Sequence, residues 1–283
     1  MHRTIVAAGG ALESGPTHRG EGRGLVAPAV FAAGTITGAA ITGGKTAGAT
    51  RALSLHLTHR ALVLFDIDGT LVRRAGPHHR EALVYAVRRI TGLETTTEGI
   101  PVQGMLDPDI LAVMMRRAGA SRSRISDATP DIVRVAERRY QRMCPPLHDK
   151  HCPGVVPLLD RLTRRGLLLG LVTGNLTRIG WRKLERAGLR DYFRFGAFGE
   201  MARTRAGLAK IAIREARGQG WISGSAPISL VGDAPADILA ARRNRIRAIS
   251  VATGLTPTDE LLAEAPDILL RDLRMLRLRM VEG

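Results

Sequence analysis

The chain has 283 residues, with 42 Lys and Arg against 26 Asp and Glu, for a formal charge of +16, and only two cysteines. Two cysteines exclude a disulfide scaffold and fit a reducing cytoplasm, and the length accommodates one α/β core with a smaller inserted domain. So basic a chain could steer phosphorylated ligands or bind nucleic acid, but the cations are mostly scattered arginines and few aromatics (5 Phe, 3 Tyr, 2 Trp) are present for base stacking, so nucleic acid is not the expected partner.

Residues 1–60 are rich in Gly, Ala and Thr and show little periodicity. We expect either a disordered extension or upstream sequence translated from an early start codon. Residues 25–44 carry no charge, yet Pro28, Gly34, Gly38, Gly43 and several threonines make them too weakly apolar for a membrane span. The stretch 39–46 (AAITGGKT) matches a relaxed phosphate-loop pattern. Such a loop needs a strand before it and a helix after it, and neither is legible here, so the match is read as chance.

Organised sequence begins at residue 61. The apolar run 61–65 delivers Asp66-Ile67-Asp68-Gly69-Thr70. Side chains alternate along a strand, so Asp66 and Asp68 share one side of the backbone where it leaves the sheet. Two converging carboxylates suit a hard, oxygen-liganded cation, or can divide the work of nucleophile and proton donor. An ordinary Asp-Gly turn would show the same residues. From 77 to about 149 the pattern turns helical, with periodicity over 79–90, 107–117 and 130–142. Thr97, Gln103, Gly104 and Asp107 fall in the polar centre of this insert and read as turn and N-cap residues in preference to a pocket lining. His78 and His79 read as exposed hinge residues. Cys144, His148, His151 and Cys152 cluster in the return segment, but their spacing matches no common zinc module.

Residues 166–172 read as a buried strand, followed at once by Thr173-Gly174-Asn175. A hydroxyl beside a permissive glycine at a strand end, with helix N–H groups following, is a natural grip for phosphate. A short strand and turn at 195–200 precede a helix over 205–216. A further buried strand, 228–231, runs into Gly232-Asp233-Ala234-Pro235-Ala236-Asp237, where Pro235 suits a first helical turn. Strands are also expected at 246–251, ended by Thr253-Gly254, and at 267–270 on the sheet edge. The terminal Arg271, Arg274, Arg277 and Arg279 lie at helical spacing and read as a solvated helix face.

Taken together, Asp66-x-Asp68-Gly69-Thr70, Thr173-Gly174-Asn175 and Gly232-Asp233-x-x-x-Asp237 resemble the motifs of the haloacid dehalogenase superfamily, and in particular its phosphoglycolate-phosphatase-like group. The resemblance spans about residues 61–270. It implies an α/β fold, a doubly wound parallel Rossmann-like sheet formed by 61–76 and 150–283, with a helical cap over 77–149. It implies that Asp66 attacks phosphorus and that Asp68 protonates the leaving oxygen and later deprotonates water. Mg²⁺ would be held by Asp66, the backbone carbonyl of Asp68, and Asp233, with Asp237 supporting them, while Thr173, Gly174 and Asn175 hold phosphate. An aspartate at position 68 favours a phosphatase over a dehalogenase, since an alkoxide leaving group needs a proton and halide does not.

One family feature departs from pattern. The third motif is normally a lysine, usually followed by proline, and no Lys-Pro lies between 175 and 233. Arg205 falls where that cation belongs, with Lys210 and Arg203 as alternatives. The implied reaction is Mg²⁺-dependent hydrolysis of a small phosphorylated metabolite, without a membrane partner. The rival readings are a phosphosugar mutase of the same superfamily and a non-catalytic, basic nucleic-acid-binding protein. Oligomeric state is not legible.

Overall fold

The computed structural model describes residues 58–73 and 76–282. The expectations for residues 1–57, including the uncharged stretch and the phosphate-loop match, lie outside the described residues. Six strands form one sheet: β1 (Leu62–Phe65), β2 (Leu168–Val172), β3 (Phe195–Ala197), β4 (Ile228–Gly232), β5 (Arg247–Val251) and β6 (Ile268–Leu270). The order across the sheet is β3-β2-β1-β4-β5-β6, and every neighbouring pair is parallel. The chain winds outward from β1 to one side, then returns and winds outward from β4 to the other. In open parallel sheets, ligands bind in the crevice at the carboxyl ends of the strands beside such a reversal.

The strands are short apolar runs because both faces of the sheet are covered. Alternate residues of β1 serve the two faces. Val63 and Phe65 join one core with Leu169, Leu171, Val231 and Ile249. Leu62 and Leu64 join the other with Leu168, Val172 and Leu230. The first face is covered by α4 (Val155–Arg164) and α5 (Thr177–Ala187). The second is covered by α6 (Arg205–Gly218), α7 (Pro235–Arg243) and α8 (Thr258–Ala263).

Between β1 and α4 the chain forms the helical insert: α1 (His78–Thr91), α2 (Asp107–Arg117) and α3 (Arg122–Met143). Leu83, Ala86 and Val87 pack with Leu111, Met114, Ile132, Ala136 and Tyr140. Helix α3 starts eight residues before the expected 130–142 segment and carries Pro130 inside it. Ser121 caps it, its hydroxyl accepting the Arg124 N–H at 3.3 Å. The terminal arginine run also differs from expectation. A 3₁₀ turn, Leu273–Met275, and a short α9 (Arg279–Glu282) are separated by extended backbone at Leu276. Buried Leu273, Leu276 and Val281 anchor this segment, so packing overrides the helical spacing.

Candidate active site

The three sequence motifs meet at the carboxyl edge of β1, β2 and β4. Asp66 follows β1 directly, its N–H donating to Val231 O of β4 at 3.0 Å. Thr173 follows β2 and Asp233 follows β4, and all three side chains are buried. Carboxylate oxygens of Asp66, Asp233 and Asp237 lie within 4.8 Å of one another, the one such cluster of potential metal ligands among the described residues. Asp237 thus stands within the acid cluster itself, in the first turn of α7, and also accepts the Ala234 N–H at 3.2 Å.

Gly69 makes this convergence possible. Its φ of +83° is left-handed, and a Cβ there would collide with the Asp233 carboxylate. Thr70 Oγ1 donates to Asp233 Oδ1 at 3.1 Å, and Thr253 Oγ1 donates to Gly69 O at 2.6 Å. The turn after β1 is therefore tied to the ends of both β4 and β5.

Arg205 opens α6 and is 7 % exposed. Its Nη1 lies 3.0 Å from Asp66 Oδ1 and 2.9 Å from Asp237 Oδ1, and it donates to Val172 O at 3.2 Å. Burial works against its charge, but Asp237 and Asp66 outweigh that and hold the guanidinium above its ordinary value. Lys210 and Arg203 are exposed on the same helix and the loop before it. Three carboxylates beside one guanidinium leave excess negative charge in a buried space. Burial, with Asp66 and Asp237 nearby, pushes the Asp233 carboxyl well above the usual range. Burial likewise raises Asp237 to about 7, against the opposing pull of Arg205. Hard oxygen donors with uncompensated charge are the donor set that a divalent cation such as Mg²⁺ takes, so these residues fit the metal.

Thr173 Oγ1 accepts from Asn175 Nδ2 at 2.7 Å, which leaves its hydroxyl proton free to donate to an anion. Asp68 turns away from the acid cluster. Lys183 Nζ lies 2.7 and 2.6 Å from its two oxygens, and Asn175 Nδ2 donates to Oδ2 at 2.8 Å. Burial raises its proton affinity, but the Lys183 ammonium and the hydrogen bonds from Lys183 and Asn175 bring the carboxyl below the usual carboxylate range.

Lys183, His79 and Asp107 escaped the sequence reading as site residues. His79 is not an exposed hinge residue: its Nε2 lies 2.9 Å from Asp107 Oδ2, and its side chain is 17 % exposed. Asp107 is buried and is the first residue of α2, whose N-cap is Leu106, so it does not cap its own helix. The one sequence signal for Lys183 is its place on the apolar stripe of α5 with Ile179, Gly180, Leu184 and Ala187, where a lysine requires an acidic partner. A cavity of about 930 Å³ opens over these groups. Thr97, Gln103 and Gly104 of the insert line it, correcting their reading as turn residues alone, and Arg73, Arg80 and Lys150 stand along its wall. Of the cysteine–histidine set, Cys144 and Cys152 are free and buried, and His151 Nε2 pairs with Ala187 O at 2.7 Å.

A family model for haloacid dehalogenase-like hydrolases matches residues 61–244. The chain is 34 % identical over 119 residues to a phosphoglycolate phosphatase of Synechococcus elongatus, a match covering 42 % of this chain and about half of that relative (53 %). It is 27 % identical over 220 residues to a phosphoglycolate phosphatase of Agrobacterium fabrum, covering 75 % of this chain and 88 % of the relative. In fold it is similar to CbbY from Rhodobacter sphaeroides in complex with phosphate. That likeness has a TM-score of 0.61 and 20 % identity, and covers 79 % of this chain and 99 % of the other.

Proposed function

The chain belongs to the haloacid dehalogenase-like hydrolase family, and within it we propose that the protein hydrolyses small phosphomonoesters through an aspartyl-phosphate on Asp66. One observation carries this reading: Asp66, Asp68, Thr173 and Asp233, from the ends of three adjacent strands, line a single cavity with Lys183 and Arg205. These two are the buried cations among the described residues.

Phosphoryl transfer asks mainly for alignment and for positive charge around the equatorial oxygens. An oxygen of Asp66 attacks phosphorus as the ester P–O bond breaks. Arg205 holds Asp66 at 3.0 Å, so one carboxylate face is fixed and the attack has a defined direction. The Thr173 hydroxyl donates to a phosphoryl oxygen. Asp68 gives its proton to the departing alkoxide, and the negative charge of the bound phosphate favours its protonated form against the pull of Lys183. In the second half, water attacks the phosphorus of the aspartyl-phosphate, Asp68 takes the water's proton, and the Asp66 carboxylate leaves. Asp66, the Asp68 backbone carbonyl and Asp233, with Asp237 beside them, would hold Mg²⁺, which would supply the charge that lets a carboxylate approach a phosphate dianion.

The helical insert serves as the cap, closing over the cavity to keep bulk water from the reacting atoms. Arg73, Arg80 and Lys150 along the cavity of about 930 Å³ suit a substrate with a second anionic group. Phosphoglycolate is the first ester to test, and sugar phosphates follow. The two free, buried thiols fit a reducing cytoplasm.

The test is inorganic phosphate release from a panel of small phosphomonoesters, with Mg²⁺ and with EDTA, for the wild type and Asp66→Asn. Mg²⁺-dependent release that drops to background in Asp66→Asn, with the circular dichroism spectrum unchanged, is expected. Turnover near wild type in that variant would remove Asp66 as nucleophile.

A further inference from the structure

A chain of polar contacts crosses the seam between the insert and the sheet, beyond the nucleophile's own surroundings. Lys183, on α5, is 1 % exposed. An ammonium has three N–H donors and no acceptor. Here they meet the Asp68 carboxylate at 2.6 and 2.7 Å, Asn175 Oδ1 at 2.6 Å and His79 Nδ1 at 3.3 Å. Asn175 is fully engaged as well, its amide nitrogen donating to Asp68 Oδ2 and to Thr173 Oγ1. To accept from the ammonium at Nδ1, His79 must carry its proton on Nε2, the nitrogen that faces Asp107 Oδ2 at 2.9 Å.

Asp107 closes the chain. The same Oδ2 accepts the Leu176 N–H at 2.8 Å. Leu176 is the N-cap residue of α5 and has no side-chain acceptor of its own. A carboxylate of the insert thus caps, from another part of the chain, the helix that carries Lys183, and does so at the positive end of its dipole. The Asp107 N–H also donates to Gly174 O at 2.8 Å. Gly174 has no room for a Cβ, which would strike the Met105 carbonyl. The segment before α2 therefore lies directly on the Thr173-Gly174-Asn175 loop. A buried ammonium whose donors are all used fixes the side of Asp68 that it holds and leaves the rest of that part-exposed carboxylate facing the cavity.

We propose that Lys183 is a positioning residue that aims the Asp68 carboxylate at the leaving oxygen, and that the His79–Asp107 pair of the cap holds Lys183 there, so that the proton donor is complete only when the cap is seated. This rests on the phosphatase reading. It extends that reading by giving the cap a part in proton transfer, separate from screening the cavity.

The readout is dependence on the leaving group. An alkyl ester needs the proton from Asp68, whereas p-nitrophenolate departs without it. Lys183→Met keeps length and bulk and removes the charge. It is expected to lower kcat/KM for 2-phosphoglycolate by about 10²-fold, the usual scale of a general acid, and for p-nitrophenyl phosphate by less than about tenfold. His79→Ala, which removes one of the partners of Lys183, should show the same split with a smaller loss. It also serves as the test should Lys183→Met fail to fold. Amide hydrogen exchange reads the cap contact without turnover: Asp107→Ala should speed exchange at Leu176 by about tenfold, the worth of one hydrogen bond. Equal losses for both esters, or an undiminished alkyl ester rate, overturn the positioning role. Unchanged exchange at Leu176 overturns the cap's part in it. Where another alkyl ester of the panel is cleaved in place of 2-phosphoglycolate, it takes that place in the comparison, and a wild-type protein that releases phosphate from no ester of the panel overturns the phosphatase reading itself, which sets that failure apart from the others.

Discussion

Asp66 and Asp68 stand one residue apart at the end of one strand, yet they sit in opposite electrostatic surroundings. On the Asp66 side, three buried carboxylates share a single guanidinium, and the carboxyls of Asp233 and Asp237 are pushed up. On the Asp68 side, one carboxylate is wrapped by an ammonium and a side-chain amide, and it is pushed down. The first group is short of positive charge and open to a cation from solution. The second is already matched by the protein. Two carboxylates on a common backbone are sorted into different tasks by what faces them, because environment and not residue type sets what each can do.

The comparison breaks most severely at Arg205. Truncating one member of a buried ion pair leaves the partner's charge uncompensated, at a cost of about 3–5 kcal/mol. Arg205→Ala should therefore lose stability on that scale in the absence of Mg²⁺, together with most turnover. Arg205→Lys keeps the charge on a compact ammonium that differs in reach and shape from the guanidinium whose Nη1 meets both Asp66 and Asp237, and should fall between. Chemical denaturation and phosphate release measure both. If Arg205→Ala were as stable and active as wild type, the acid cluster would not depend on this cation.

Legibility in the sequence followed the range of the interaction. Asp66, Thr173 and Asp233 could be read because each ends a short apolar run, and such runs mark strands covered on both faces. Arg205 could be placed by counting along a periodic helix. Lys183 could not, because its partner Asp68 lies 115 positions away and nothing local announces the pairing. His79 and Asp107 fail for the same reason, since their bond forms across 28 positions and their shared target belongs to α5. The start of α3 was hidden differently. Residues 122–129 are mostly polar and show no apolar period, so the periodic signal begins only at 130, although Ser121 is the cap.

A second prediction sharpens the contrast through pH. Asp237 is held at about 7 in the folded protein, against about 3.8 for an ordinary aspartate. Between those values the folded state binds the extra proton, so metal-free stability should fall as pH rises from about 4 to about 7, by a few kcal/mol at most. Asp68 works in the opposite sense, and its contribution is lost only as pH drops below the ordinary carboxylate range. Thermal midpoints in EDTA should therefore decline from pH 5 to pH 7.5, and the decline should be shallower in Asp237→Asn. Added Mg²⁺ should raise the midpoint more at pH 8 than at pH 5, because it binds the ionised acids. A metal-free midpoint that climbs across this window, with no difference in Asp237→Asn, would contradict the charge shortage assigned to this cluster.

The smallest expected effect is the most discriminating for the third-motif cation. Lys210 lies on α6 only five residues beyond Arg205 and carries the same charge, but it is exposed where Arg205 is buried against two carboxylates. Solvent and salt screen such a charge, and surface substitutions of this kind change stability by less than about 0.5 kcal/mol. Lys210→Ala should leave denaturation midpoints and kcat/KM close to wild type, and Arg203→Ala should behave alike. A loss of turnover in Lys210→Ala equal to that in Arg205→Ala would mean that the cation serving the reaction reaches it from the solvent face of α6. The acid cluster would then owe its compensation to a mobile surface charge, and the contrast between a cluster awaiting a metal and a carboxylate already paired would no longer stand.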